Sequence, residues 1–298
     1  MSAATPGFAG LEAVLEERRR QVEEALRSLV GEGTGSVQAA VEDSLFAPSK
    51  RLRPILALLV AEVFRASPEG IVPAACSIEM VHTASLILDD LPSMDDARTR
   101  RGRPACHVAH GEANALLAAF ALLTRAFDVL ASGWAGGPDC ETRGRMAREL
   151  ARAAGLDGLI AGQASDLALT DRPMDFATLE YIHSRKTGAL FMASAAFGAV
   201  VARAGAAELA AVTTYAKNLG LAFQIVDDLI DVTGAAGESG KDVGQDRRKT
   251  TFVSFAGVEG ARQLAAELVA ASQEALSGFG PRAEPLLELA RYVVRRRR

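Results

Sequence analysis

Apolar positions recur at helical spacing through most of this chain, and the interruptions are short. The periodicity starts near Leu11, pauses at the Gly-rich segment Gly31 to Ser36, and resumes from Arg53 to Ala66 until Ser67-Pro68 ends it. Pro73 opens the next helix, which carries Ile78, Val81, His82, Ser85, Leu86 and Leu88 into Asp89-Asp90, with loop residues following to Pro104. Further helices are predicted from Glu112 to Ala131, Arg143 to Leu169, Asp175 to Ala202 and Glu208 to Val232. Gly136-Gly-Pro-Asp139 and Asp171-Arg-Pro173 supply breaks between them. Gly234 to Gly244 holds four glycines and reads as a mobile loop, after which the pattern is helical to the tail.

Composition points the same way. Aromatics are 5% and the 49% of apolar residues are spread evenly, with no Pro/Ser-rich linker. The expectation is an all-α fold, one domain over residues 1–298, built as a bundle of about ten or more helices. The net charge of −4 conceals 33 basic residues, but the only compact basic run is Arg295 to Arg298, so nucleic-acid binding has little support. Cys76, Cys106 and Cys140 show neither paired nor metal-ligand spacing, which fits a reducing cytoplasm. The charge-free run Gly188 to Ala202 is 15 residues, short of the roughly 20 that span a bilayer, and is expected to be a buried helix. No transmembrane segment and no export signal are expected.

The informative chemistry is acidic. Asp89-Asp90-Leu-Pro-Ser-Met-Asp95 and Asp227-Asp228-Leu-Ile-Asp231 lie 138 residues apart, each beside apolar helix. Clustered carboxylates repel one another and resist desolvation, so near a core they are best kept ionised by sharing hard cations such as Mg²⁺. Mg²⁺ in turn favours phosphate oxygens. Two facing acidic walls lining a deep helical cavity and clamping a diphosphate are therefore expected. Asp227 and Asp231, four apart, share one helix face, whereas Asp228 points elsewhere. The alternative is a solvated acidic face, against which stands the apolar character of Leu219 to Ile230. After the first cluster come Arg98, Arg100, Arg101 and Arg103, a mix that suits a polyanion held by metal on one side and guanidinium forks on the other. A charge-balanced surface loop is the alternative there. Lys50, Arg51 and Arg53 open an apolar helix, and Arg185-Lys186-Thr187-Gly188 precede another; either set alone is weak evidence for a site and reads more readily as a helix start.

Taken together, Leu88-Asp89-Asp90 through Asp95-Asp96, Arg100-Arg101-Gly102-Arg103-Pro104, and Gly220 through Gln224 to Asp231 resemble the two aspartate-rich motifs of the trans-isoprenyl diphosphate synthases, the polyprenyl synthetases. The resemblance spans roughly Lys50 to Ser254 and is greatest to bacterial geranylgeranyl diphosphate synthases of carotenoid pathways. It implies the isoprenoid synthase fold, a cytoplasmic homodimer, and about three Mg²⁺ per active site. It also implies head-to-tail condensation of isopentenyl diphosphate with dimethylallyl, geranyl or farnesyl diphosphate. By resemblance, Asp89, Asp95, Asp227 and Asp231 are metal ligands, with Asp90 and Asp228 as supporting acids. Lys50, Arg53, His82 and Arg101 would hold isopentenyl diphosphate, and Arg100, Lys186, Thr187, Gln224 and Lys241 the allylic diphosphate. Gln163 and Asp166 match a motif beside the metals. His107, His110 and His183 are read as structural or surface residues.

Small Ala84 and Ser85, five and four residues before Asp89, argue for a C20 product over C15, because members stopping at fifteen carbons often place an aromatic there. Farnesyl diphosphate synthase is the alternative. A non-catalytic partner subunit should lack the aspartates, and a terpene cyclase the second set of diphosphate cations. Four positions depart from the family pattern: Ser49 for glycine, Leu88 for histidine, and Ala119-Phe120 for Gly-Asp. The arginine tail, Arg295 to Arg298, is either a closing flap over isopentenyl diphosphate or a solvated terminus.

Overall fold

A computed structural model describes residues 9–170, 172–233 and 250–295. It is helical nearly throughout. In chain order the elements are α1 (Ala9–Val30), α2 (Ser36–Leu45), α3 (Leu52–Val63), α4 (Val72–Asp89), strands β1 (Thr99–Arg100) and β2 (Arg103–Pro104), and α5 (Cys106–His110). Then come α6 (Glu112–Ser132), α7 (Cys140–Ala154), α8 (Leu159–Ala168), α9 (Phe176–Lys186), α10 (Gly188–Val201), α11 (Ala206–Thr233), α12 (Phe252–Ala275) and α13 (Glu284–Arg295).

Two helices are buried on nearly every side, α3 from Pro54 to Ala61 and α10 over most of its length, and they pack on one another. Each of Ile55, Leu56, Leu58 and Leu59 is at most 1% exposed, worth about 1.5–3 kcal/mol apiece relative to exposure. Around this pair α4 packs against α6, and α11 lies between α10 and α12. The charge-free run expected to be a buried helix is α10.

Two long predicted helices are each divided. The expected Arg143–Leu169 helix breaks between α7 and α8 around Gly155 and Gly158. The expected Asp175–Ala202 helix, which begins with the Asp175 side chain accepting the Thr178 amide at 2.8 Å, breaks at Thr187 between α9 and α10. The second break follows from close backbone contacts. A Cβ on Gly162 of α8 would lie 2.3 Å from the Lys186 amide nitrogen, and one on Gly220 of α11 would lie 3.2 Å from Gly188 Cα. Only glycine lets α8 and α11 both approach the α9–α10 junction that closely.

The loop expected up to Pro104 contains a hairpin. Arg101 (φ 54°) and Gly102 (φ 74°) form its two-residue turn, with Arg100 paired to Arg103. Helix α6, at 21 residues, is long and apolar enough to cross a membrane by length and composition, the one described helix that is. One face of α6 packs on α4 and α2, and it carries Arg125 and Asp128.

Candidate active site

The two aspartate clusters end two helices. Asp89 is the last residue of α4, and Asp227, Asp228 and Asp231 lie in the final two turns of α11. Helix C-termini carry partial negative charge, so carboxylates there need compensation from elsewhere. After α4 the chain folds back on that end. Asp95 donates its amide to the Asp89 carbonyl at 3.0 Å, and Ala97 donates to that of Asp90 at 3.1 Å. This turn sets Asp95 beside Asp89.

Within each cluster one acid is buried and the flanking ones are half-buried. Asp90 is 2% exposed and receives Arg100 in a fork, with Nε at 2.9 and 3.1 Å from its two oxygens and an Nη2 contact besides. Burial, aided by Asp89 and Asp95, raises the Asp90 pKa although Arg100 opposes it. Burial alone would lower Arg100, but Asp90, Asp89 and Asp95 outweigh it and hold the guanidinium above its ordinary value. Asp228 is 4% exposed and is bound by neutral donors, Gln224 Nε2 at 2.9 Å and the Phe252 amide at 3.0 Å. Asp89, Asp95, Asp227 and Asp231 stay half-buried.

The α9–α10 junction joins the two clusters. Lys186 Nζ lies 2.8 Å from Asp166 Oδ2 and 3.4 Å from Asp89 Oδ1, and Gln163 donates to that same Asp89 oxygen. Next in sequence, Thr187 donates its hydroxyl to Gln224 Oε1 at 3.0 Å, and Gln224 passes to Asp228. A continuous run of contacts thus leads from Asp89 through Lys186-Thr187 and Gln224 to Asp228. Its neighbour Arg185 turns outward, stacked on Tyr181 at 4.4 Å and bonded to the Asp157 carbonyl.

A second set of cations faces α4 one to two turns before Asp89. Arg53 Nη1 sits 3.2 Å from His82 Nε2, its guanidinium 4.7 Å over the Phe191 ring. Arginine only donates, so His82 Nε2 must be the accepting nitrogen and the ring is neutral with its proton on Nδ1. Burial first, then Arg53, Arg101, Arg51 and Arg100, push the His82 pKa well below its ordinary value. His82 therefore orients Arg53 and offers Nδ1–H; it does not add a charge. Burial lowers Arg53 to about 10, Arg101 adding to the shift and Glu79 and Asp227 opposing it, and burial lowers Arg101 as well. Lys50 is exposed just before α3. Arg51 instead turns inward to Glu79, both 1% exposed. Sequence reasoning passed over Glu79, whose signal was an acid in mid-helix three residues before a histidine.

Ala84 is 4% exposed, and Ser85 bonds back to the His82 carbonyl at 2.7 Å. His107 meets the Ala97 carbonyl at 2.9 Å and His110 meets Asp43 at 2.8 Å, as structural residues do. Phe120 is 65% exposed on α6, so that departure is a surface feature. Ser49 accepts the Arg51 amide at 3.3 Å, which gives its hydroxyl a local role. Lys241, the expected loop Gly234 to Gly244, and Arg296 to Arg298 lie outside the described residues; Arg295 ends α13.

The polyprenyl synthetase family model matches residues 35–275. The chain belongs to the polyprenyl synthetase family. Geranylgeranyl pyrophosphate synthase 9, chloroplastic, of Arabidopsis thaliana is 42% identical over 264 residues, covering 87% of this chain and 73% of its own. A dimethylallyltranstransferase of Fischerella ambigua is 39% identical, covering 95% and 82%, and the geranylgeranyl diphosphate synthase of Cyanophora paradoxa is 37% identical, covering 95% of both. Among solved structures, the FPP/GFPP synthase of Zymomonas mobilis superposes with a TM-score of 0.86 at 33% identity, over 96% of this chain and 99% of that one. The fold is accordingly the all-α isoprenoid synthase fold of these polyprenyl synthetases, with both acidic helix ends in described elements.

Proposed function

We propose that this polyprenyl synthetase is a Mg²⁺-dependent geranylgeranyl diphosphate synthase that joins isopentenyl diphosphate to an allylic diphosphate and releases diphosphate. The observation that carries the reading is the run of contacts from Asp89 through Lys186-Thr187 and Gln224 to Asp228, which couples the two acidic helix ends through a cation and a hydroxyl. The donor set suits Mg²⁺: four half-buried carboxylates, Asp89, Asp95, Asp227 and Asp231, and neither histidine nor cysteine. Among the described residues no three carboxylates converge on one point, so phosphate oxygens and water must complete any coordination shell. When bound, Mg²⁺ stabilises negative charge on the departing diphosphate.

The protein's own residues divide the work. Lys186, Thr187, Gln224 and Arg100 hold the allylic diphosphate and steady charge developing on its oxygens, with Lys241 assigned there on sequence. Lys50, Arg53 and Arg101 bind isopentenyl diphosphate, and His82 orients Arg53. Asp90 and Asp228 hold Arg100 and Gln224 in place. The allylic C–O bond breaks, the isopentenyl double bond attacks the resulting cation, and proton loss to the leaving diphosphate restores an allylic product five carbons longer. No side-chain nucleophile takes part.

Small Ala84 and Ser85 before Asp89 favour the C20 product, and the resemblance of the motifs favours the carotenoid-pathway type. A C15 product is the second reading, favoured by a putative farnesyl-diphosphate synthase from Marinomonas sp. MED121 that superposes with a TM-score of 0.82 at 32% identity. Chromatography of products from labelled isopentenyl diphosphate and each allylic primer separates the two. Ala84→Phe is expected to shift the product toward farnesyl diphosphate; unchanged C20 would refute the role given to that wall.

We further infer one synthase domain working as a homodimer in a reducing, cytoplasm-like compartment. Val108, Leu116, Leu117 and Phe120 expose 39, 42, 54 and 65% of their surfaces on α5 and α6, an apolar face suited to a second copy. Cys76, Cys106 and Cys140 are free thiols. Sedimentation of wild type and Phe120→Asp tests the dimer.

A further inference from the structure

Arg51 is an arginine that the reaction scheme leaves unused, yet among the described residues it is the largest fully buried side chain. Its Nη1 donates to Glu79 Oε1 of α4 at 2.8 Å, its Nη2 donates to the Leu45 carbonyl at the end of α2, and its Nε lies 3.7 Å from Glu23 Oε1 of α1. Its backbone is left-handed (φ 51°, ψ 32°), a conformation in which a non-glycine residue is strained. The Ser49 hydroxyl supports that bend by accepting the Arg51 amide at 3.3 Å.

The bend separates three consecutive roles. Lys50 is exposed on one side of it, Arg51 is driven into the core, and Arg53, in the first turn of α3, reaches His82 at 3.2 Å. Glu79 and His82 are three residues apart on α4, and Arg51 and Arg53 are two apart, so the start of α3 is held to α4 by two rungs in fixed register. A buried ion pair adds little net stability over a well-packed apolar pair, so the value of this one lies in geometry.

We propose that Arg51 is a positioning residue for isopentenyl diphosphate: its pairing with Glu79 and the Leu45 carbonyl sets the bend that places Lys50 and Arg53 for the diphosphate. The inference rests on the prenyltransferase reading above. It concerns one substrate only, because the allylic contacts at Lys186, Thr187 and Gln224 come from other helices.

The test uses the full chain as Arg51→Lys, Glu79→Gln and the double variant Arg51→Met/Glu79→Met. Steady-state kinetics is run with each substrate varied, calorimetric titration with isopentenyl diphosphate alone, and thermal unfolding on all proteins. Arg51→Lys and the double variant are expected to raise KM and Kd for isopentenyl diphosphate about tenfold or more, with kcat and the allylic KM within about threefold. Glu79→Gln retains an acceptor oxygen for Nη1 but leaves a buried charge, so it should lower Tm while KM for isopentenyl diphosphate stays within about threefold. Wild-type isopentenyl affinity in a folded double variant, or equal losses for both substrates, overturns the proposal. So does failure of both Arg51 variants to fold, which would assign the pair to stability. A wild-type chain that condenses neither substrate sinks the prenyltransferase reading itself, a separate result.

Discussion

The two acidic helix ends carry nearly the same sequence and neutralise it differently. At the end of α4, the buried Asp90 is answered by a charge, the Arg100 guanidinium brought back by the β1–β2 hairpin. Near the end of α11, the buried Asp228 is answered by the Gln224 amide and by the Phe252 N–H at the start of α12, where the helix dipole is positive. One wall depends on a side chain that can also meet phosphate, and the other is built into the junction of two helices. In both, the buried acid organises the protein while the neighbouring acids stay only half-buried.

The strongest way to break that division is to remove the half-buried acids. Asp89→Ala or Asp227→Ala should each lower turnover on the order of a thousandfold or more, read with labelled isopentenyl diphosphate under saturating Mg²⁺. Equal activity in either variant would end the metal assignment. The buried acids should behave otherwise in denaturant unfolding. Asp90→Ala strands the Arg100 charge and should cost about 3 kcal/mol, and Asp228→Ala strands the Gln224 amide and the Phe252 N–H and should cost about 1–3 kcal/mol. A reversed order would mean that the hairpin swings free once Asp90 is gone.

The junction between the walls can be probed through Gly162. Its substituted Cβ would meet the Lys186 amide nitrogen at 2.3 Å, so Gly162→Ala should cost about 1–3 kcal/mol and move Lys186 off Asp89 and Asp166. A variant with wild-type stability and activity would show that α8 retreats freely. The smallest effect belongs to His82. Its native pKa lies below the ordinary 6.5 because burial and the surrounding arginines oppose charging, so the unfolded chain binds the extra proton first. Its stability contribution is complete above pH 6.5 and is lost as pH falls toward the native value. His82→Gln should flatten that acid-side loss in unfolding measured above and below this pH; an unchanged slope would place the loss elsewhere.

Much of this was legible in the chain. The helical period gave α4, α6 and α11, the charge-free run gave α10, and two acid clusters beside apolar helix pointed to divalent metal and diphosphate, because ionised carboxylates near a core require compensation wherever they sit. Residue type and spacing suffice for such statements. Other features depend on contacts between residues far apart in sequence. At Thr187 the glycines of α8 and α11 crowd the α9–α10 junction, a close approach between segments far apart in sequence. Arg51 and Arg53 look alike in sequence, yet burial against Glu79 and Leu45 makes one a fixed internal pair while the other faces His82. Likewise Asp90 and Asp228 are separated from their neighbouring aspartates by burial and by partners 10 and 24 residues away. Composition and periodicity thus determine which groups must be compensated; packing alone decides which partner compensates each, since that is a matter of distance in space.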